Sequence, residues 1–314
     1  MVIISDLSIQ ADKLVEQGIA ESTKSTYTAP QKQFYKFCME TGLNPLPAST
    51  NTVLLFLTHL HNKGLSYNTC HVYLSAVKSM HILHDVVPPN LSNARIRLAL
   101  KAIKKKCPEP QCKKPITFNI LQKIWSLLKG AKNEKCIKAI LALSFFGGLR
   151  GSEYLSTIHK KGPKLKNVWF TKNKSLTMHY SVTRSKTKTH GFVVPYKCSG
   201  HEVCAVCAME AYLAEKQQLT PLSENSNLFE IQGKQVTKAM FNSILKKILH
   251  SMGANTQGYS LHSIRYGAAT TAAQNKFADW EIKLIGGWST NTYRTYINTK
   301  HTSHRARFSR RLTQ

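Results

Sequence analysis

The stretch CPEPQCKKPITF, residues 107–118, divides the chain into two segments with different patterns of apolar residues. Two of its first four residues are proline, and Pro115 follows a pair of lysines. Proline lacks the backbone N–H and has a fixed φ, so this stretch cannot continue a helix. We predict an exposed linker over 107–118, with one domain at residues 1–106 and another at residues 119–314.

The segment before the linker has a helical pattern. From about Asp12 to Lys106, apolar residues recur at spacings of three and four, as in Tyr73, Leu74, Val77 and Met80. We expect four or five helices here. The hydroxyl residues placed to cap them are Ser22 or Ser25, Ser49 or Thr50, and Ser66.

The segment after the linker mixes helical and β patterns. The predicted helices are 118–128, 134–147, 204–217, 237–252, 261–275, 279–286 and 290–298. The predicted strands are 168–170, 176–182 and 192–196. The fold class is therefore mainly α with a small β-sheet, made of an N-terminal helical domain and a C-terminal α+β domain.

Charge indicates the class of partner. The formal net charge is +28, and residues 111–314 carry 32 basic and 9 acidic side chains against 12 and 7 in residues 1–110. Such a field attracts polyanions, so nucleic acid is the expected partner. The N-terminus lacks the pattern of a secretory signal and no stretch has the length of a membrane span, so we expect a soluble, intracellular protein with reduced cysteines.

Two segments place cations where they can meet a phosphate. In GGLRGSE, 147–153, Arg150 follows a glycine pair at the end of an apolar helix, and its forked guanidinium suits bidentate phosphate binding. The structural alternative is an ion pair with Glu153. In SVTRSKTKTHGFVVPY, 181–196, a hairpin turn offers Arg184, Lys186 and Lys188, which could donate a proton to a leaving oxygen or simply be solvated.

Two later segments supply further candidates. In LHSIRYG, 261–267, His262 and Arg265 are neighbours on a helix that is mostly apolar, so a buried Arg265 would require an anionic ligand or a buried acid. In LIGGWSTNTYRTYI, 284–297, a glycine pair precedes Trp288, and Tyr293 and Tyr296 follow. A buried aromatic pair is the alternative explanation there.

In this order the four segments resemble those of the tyrosine recombinase (integrase) superfamily, whose boxes GLRGSE, SKT, HSIR and GGW match along nearly the whole chain. The ending GGWSTNTYRTYI is similar to integrases of eukaryotic Crypton, Ngaro and DIRS-like mobile elements. The resemblance implies a SAM-like core-binding domain followed by a catalytic domain. The sequence departs from those of many bacterial members in having Trp288 where they have histidine, and in placing Tyr296 one residue closer to that position.

The resemblance also implies roles. Arg150 and Arg265 would bind the scissile phosphate, with His262 assisting proton transfer and Trp288 donating to the phosphate. Tyr296 would attack phosphorus, with Tyr293 as the rival nucleophile. Lys186 would protonate the departing 5′ oxygen, with Lys188 as its nearest rival and Glu153 in a supporting position.

The implied activity is metal-independent DNA cleavage and rejoining through a 3′-phosphotyrosyl intermediate, with no cofactor. Its partners would be double-stranded recombination sites and three further copies in a synaptic homotetramer, in the nucleus if the element is eukaryotic. A DNA-binding protein that has lost catalysis and a type IB-like topoisomerase are the alternatives.

A competing motif lies in KCSGHEVCAVCAME, 197–210. Cys198, His201, Cys204 and Cys207 stand at spacings that could bind zinc. Two ligand pairs in one short segment rarely surround one ion without a longer loop between them. We therefore expect no metal site in this segment.

Overall fold

The computed structural model describes residues 4–108, 113–172, 175–183, 190–219 and 221–295. It contains two compact units, which lie within Met1–Pro110 and Gln111–Gln314. The described part is mainly helical with a small antiparallel sheet, which confirms the predicted fold class. Among these residues, no helix combines the length and the apolarity needed to cross a bilayer.

The first unit consists of helices around an aromatic core. Its helices are α1 (Ile4–Gln17), α2 (Glu21–Thr41), α3 (Thr50–Asn62), α4 (Tyr67–Leu83) and α5 (Ala94–Lys106). The rings of Phe34 and Phe56 meet edge to face at 4.9 Å, joining α2 to α3 in the core. Ser49 and Ser66 cap α3 and α4, as predicted. The predicted cap of α2 was wrong, because that helix already begins after Ala20.

The second unit is built around the buried helix α7. Its helices are α6 (Phe118–Leu127), α7 (Glu134–Phe146), α8 (Gly151–Tyr154), α9 (Ala205–Leu219), α10 (Lys238–Ser251), α11 (His262–Gln274) and α12 (Asp279–Gly286). Two 3₁₀ turns, Leu165–Asn167 and Asn291–Thr295, complete the helical elements described. Helix α7 is apolar on nearly every side, because both α9 and α11 pack against it.

The sheet is an antiparallel meander. Strands β1 (Val168–Lys172), β2 (Leu176–Val182) and β3 (Phe192–Lys197) pair in chain order, and the β2–β3 ladder runs to the pair Val182 and Phe192. A second, short hairpin joins β4 (Glu230–Ile231) to β5 (Lys234–Gln235). Alternate side chains of β2 are buried, which anchors the sheet to the core.

The end of the predicted linker runs along α11. The Ile116 N–H donates to Ser263 O at 2.8 Å, and the Phe118 N–H donates to Thr271 Oγ1 at 3.0 Å. Gly267 on α11 allows this approach, because a Cβ there would overlap the Ile116 carbonyl. This contact holds α11, which carries two of the candidate residues, against the start of α6.

Candidate active site

Arg150 is held by the short helix that follows it. Its backbone N–H donates to Glu153 Oε2 at 2.7 Å, and its guanidinium donates to Glu153 Oε1 at 3.0 Å. The Glu153 carboxylate is 1% exposed, whereas the Arg150 side chain is 24% exposed. The ion pair considered from the sequence is therefore present, and it orients a guanidinium that still reaches solvent.

Arg150 lies on a cleft of about 520 Å³ together with residues of α10 and α11. Lys238 and Asn242 come from α10, and His262 begins α11. The Asn242 side chain accepts the Leu261 N–H at 3.1 Å, which joins the two helices beside the cleft. Lys238 and Asn242 were not predicted from the sequence, because nothing in the pattern of α10 separates them from ordinary polar surface residues.

His262 is surrounded by positive charge. Burial lowers its pKa, and the cations Lys113, Arg265, Arg150 and Lys238 lower it further, to about 4. The imidazole is therefore neutral near pH 7, and its ring meets that of Tyr266 edge to face at 5.1 Å. Four cations near one neutral imidazole make this region suited to an anionic ligand.

Arg265 is almost completely buried, at 1% exposure. Its guanidinium donates to the Gly148 carbonyl and, at 2.6 Å, to the Gly286 carbonyl. Its central carbon lies 4.3 Å from the Trp288 ring centroid, within the range of a cation–π contact. Carbonyl oxygens at helix ends and an aromatic face therefore stabilise this buried charge.

The turns at Gly148 and Gly286, whose carbonyl oxygens accept hydrogen bonds from Arg265, pack against each other. Gly148 follows α7 with φ +53°, and a Cβ at this position would lie 2.8 Å from Ile285 O. Gly286 ends α12, and the Trp288 N–H donates back to Lys283 O at 2.9 Å. The GGLR and GGW segments, far apart in the chain, thus form one structural unit around Arg265.

Tyr293 is part of the core beside Trp288. It is completely buried, and its ring centroid lies 6.2 Å from that of Trp288. Its hydroxyl accepts from Arg294 Nε at 3.2 Å, and hydrogen bonds from Tyr293 and Arg294 hold the pKa of Asp279 below its usual value. Tyr293 therefore has the surroundings of a structural aromatic residue.

Four candidate residues lie outside the described part of the chain: Arg184, Lys186, Lys188 and Tyr296. Their roles remain predictions from the sequence. The structure brings Arg150, Glu153, His262, Arg265 and Trp288 together in one region of the second unit.

No family model matches the chain. An integrase/recombinase xerD homolog from Selenomonas ruminantium is 25% identical over 284 residues, which cover 86% of this chain and 79% of that protein.

Solved structures of recombinases have a similar fold. The XerH site-specific recombinase bound to palindromic difH substrate matches with a TM-score of 0.65 and 18% identity, over 91% of this chain and 78% of XerH. A lambda integrase dimer bound to a COC′ core site matches with a TM-score of 0.58 and 12% identity, over 96% of this chain and 79% of the integrase chain. The Tn1549 transposon integrase in complex with circular intermediate DNA matches with a TM-score of 0.54 and 16% identity, over 84% of this chain and 86% of the integrase chain. The chain thus has the fold of these recombinases, and its sequence is similar to that of the xerD homolog.

Proposed function

We propose that this protein cuts and rejoins double-stranded DNA at specific sites through a transient 3′-phosphotyrosyl link. The observation that carries the proposal is the cleft on which Arg150, Lys238 and His262 converge, with Arg265 close enough to lower the pKa of the imidazole. A cleft with this charge suits a phosphodiester. Similarity to the xerD homolog and to recombinases solved with their DNA sites supports DNA as the substrate.

In the proposed reaction, the Tyr296 oxygen attacks phosphorus and the bond from phosphorus to the 5′ oxygen breaks. Lys186 protonates that oxygen, with Lys188 as the alternative donor. The link to tyrosine conserves the energy of the broken phosphodiester, so a 5′ hydroxyl can attack it and reseal the strand without a nucleotide cofactor.

The described residues would stabilise the charge that develops on the phosphate. Arg150 offers a partly exposed guanidinium whose direction is set by Glu153. Arg265 would exchange a carbonyl contact for a phosphate oxygen, because a charge-assisted hydrogen bond is stronger than one to a neutral acceptor. Trp288 would add a hydrogen bond from its indole N–H. These groups would stabilise the charge on the phosphate without a metal ion.

His262 would accept the tyrosine proton. Its lowered pKa keeps the imidazole neutral near pH 7, which is the protonation state that a general base needs. Once protonated, it would stand beside the phosphate as a further cation.

The biological setting proposed is the movement of a mobile element, by a homotetramer on paired sites in a nucleus. The ending GGWSTNTYRTYI supports it, through its resemblance to integrases of eukaryotic elements. The Tn1549 integrase shows that the same fold serves a transposon.

The test is a selection for covalent DNA adducts. A library of nicked duplexes with randomised sequence is incubated with the full chain, and DNA that stays attached to protein in detergent is recovered and sequenced. Cleavage next to the nick releases a short fragment that carries the 5′ hydroxyl. Because that fragment diffuses away, the strand cannot be resealed and the adduct accumulates. We expect enrichment of one site with the wild type and none with Tyr296→Phe.

Three other outcomes would contradict the proposal. Adducts formed by Tyr296→Phe at the wild-type level would exclude this tyrosine as the nucleophile. Sequence-specific retardation of DNA in a native gel, without any covalent adduct, would indicate a DNA-binding protein that lacks catalysis. Adducts without sequence preference, together with relaxation of supercoiled plasmid, would indicate a topoisomerase.

A further inference from the structure

Three cysteine side chains converge at the junction of β3 and α9. Cys198 directly follows β3, Cys204 directly precedes α9, and Cys207 lies in the first turn of that helix. Their sulfur atoms all lie within 4.8 Å of one another. Because two different elements supply the sulfurs, the objection that one short segment cannot surround an ion does not apply.

The spacing of the sulfurs matches a tetrahedral ion. Cys198 Sγ lies 3.5 Å from Cys207 Sγ and 3.9 Å from Cys204 Sγ. A tetrahedral Zn²⁺ with Zn–S bonds of about 2.3 Å holds its thiolates about 3.8 Å apart. A disulfide would instead bring two sulfurs to about 2.0 Å. All three cysteines are free thiols in the structure.

The start of α9 presents partial positive charge to two of the sulfurs. Cys204 and Cys207 lie where the unpaired backbone N–H groups and the dipole of a 15-residue helix present partial positive charge. Three thiolates at this spacing repel one another unless a cation lies between them. A divalent, sulfur-binding ion removes that repulsion.

His201 completes the sequence motif but lies outside this group. Its Nδ1 accepts the Val203 N–H at 2.9 Å, and its ring lies 5.5 Å from that of Phe118. The fourth ligand position of the ion is thus left to water or to a rotated His201.

We propose that Cys198, Cys204 and Cys207 bind one Zn²⁺ ion that joins the end of β3 to the start of α9. The role is structural. Helix α9 packs on α7, and β3 pairs with β2 to form a hairpin. Lys186 lies between these two strands in the sequence. An ion at this junction would fix the base of that hairpin to the core of the unit, whatever reaction the protein performs.

Metal content tests the proposal directly. The full chain is purified under reducing conditions, loaded with zinc and freed of excess metal, and its zinc is measured by mass spectrometry. We expect about one ion per chain, the stoichiometry of a structural site. Cys204→Ser and Cys207→Ser should lose most of it, whereas Cys107→Ser, which changes a partly buried thiol of the other unit, should retain it.

Cobalt gives a second readout that does not depend on folding of the variants. Co²⁺ added to the wild-type chain should produce the charge-transfer and tetrahedral ligand-field bands of a thiolate site, and Zn²⁺ should displace them. A strong chelator should lower the Tm of the wild-type chain and leave that of Cys207→Ser unchanged.

Two results would overturn the proposal. The first is a folded wild-type chain that takes up no zinc and gives no thiolate–cobalt bands. The second is equal zinc content in the wild-type chain and in a folded Cys204→Ser variant. A Cys198–Cys207 disulfide, found by peptide mapping in protein that binds no zinc under reducing conditions, would assign the cluster to redox chemistry instead.

Discussion

The guanidinium of Arg265 lies over the ring of Trp288, with its central carbon 4.3 Å from the ring centroid. The same group donates to the carbonyls of Gly148 and Gly286. One side chain therefore connects three segments that are remote from one another in sequence. Removing it should disturb the shape of the site as well as its charge.

Replacing Arg265 by lysine separates these two roles. An ammonium cannot reproduce the planar fork, so at least one buried carbonyl loses its donor, and we expect a loss of about 1–3 kcal/mol in the free energy of unfolding. Urea denaturation measures it. Arg150→Lys is the matched control and should unfold close to the wild type, because that side chain is partly exposed. An unchanged urea midpoint for Arg265→Lys would refute the structural role.

Glu153 should act through Arg150. In Glu153→Gln one acceptor oxygen becomes an N–H₂ group facing the Arg150 donors, so the guanidinium shifts from its position. We expect the single-turnover rate of adduct formation to fall about 10-fold or more, with little change in DNA affinity. Glu134→Gln, which loses a comparable pairing with Lys138 at the start of α7, should keep the rate. Equal rates in both variants would argue against a positioning role.

Tyr293 and Tyr296 should respond differently to the loss of a hydroxyl. Tyr293→Phe keeps the ring packed beside Trp288 and loses the hydrogen bonds near Arg294, so we expect about 1 kcal/mol of destabilisation and full adduct formation. Tyr296→Phe should form none. Gel analysis of adducts with a selected site decides between them, and the reverse pattern would make Tyr293 the nucleophile.

His262 should make stability depend on pH in a defined window. The unfolded chain protonates this imidazole near its ordinary pKa of about 6.5, but burial and the neighbouring cations delay protonation of the folded chain until about pH 4. Its contribution to stability is therefore complete above about pH 6.5 and is lost as the pH falls from there towards about 4. His262→Gln should lose stability less steeply than the wild type between pH 7 and 5 in urea titrations. Parallel curves would show that the pKa is not depressed.

Lys238 should contribute to DNA binding as a phosphate contact. Lys238→Ala should weaken binding to all sequences alike and reduce the slope of log affinity against log salt by about 1. Fluorescence anisotropy at several salt concentrations measures both quantities. Lys135→Ala, which removes an exposed lysine beside Glu215, is the control and should change neither. A change confined to one DNA sequence would instead indicate base recognition by Lys238.

Local patterns in the sequence predict most of the elements. The predicted strand 176–182 coincides with β2, and the predicted helix 237–252 differs from Lys238–Ser251 by one residue at each end. Alternation of apolar residues and side-chain caps act over a few residues, so they can be read without knowledge of the fold. The 3₁₀ geometry of Asn291–Thr295, in place of the first part of a predicted α-helix, is an exception, because the type of a short helical turn depends on packing.

What the sequence by itself determined was which residue types stand in which order: three cationic segments, a glycine–tryptophan turn, and four cysteine and histidine positions. Only the tertiary structure decided their partners. Arg265 meets carbonyls 117 and 21 residues away, and three sulfurs converge where a strand ends and a helix begins. The physical reason is that hydrogen-bond acceptors and ligand distances across such separations are set by how helices and strands pack, and no local pattern records that packing.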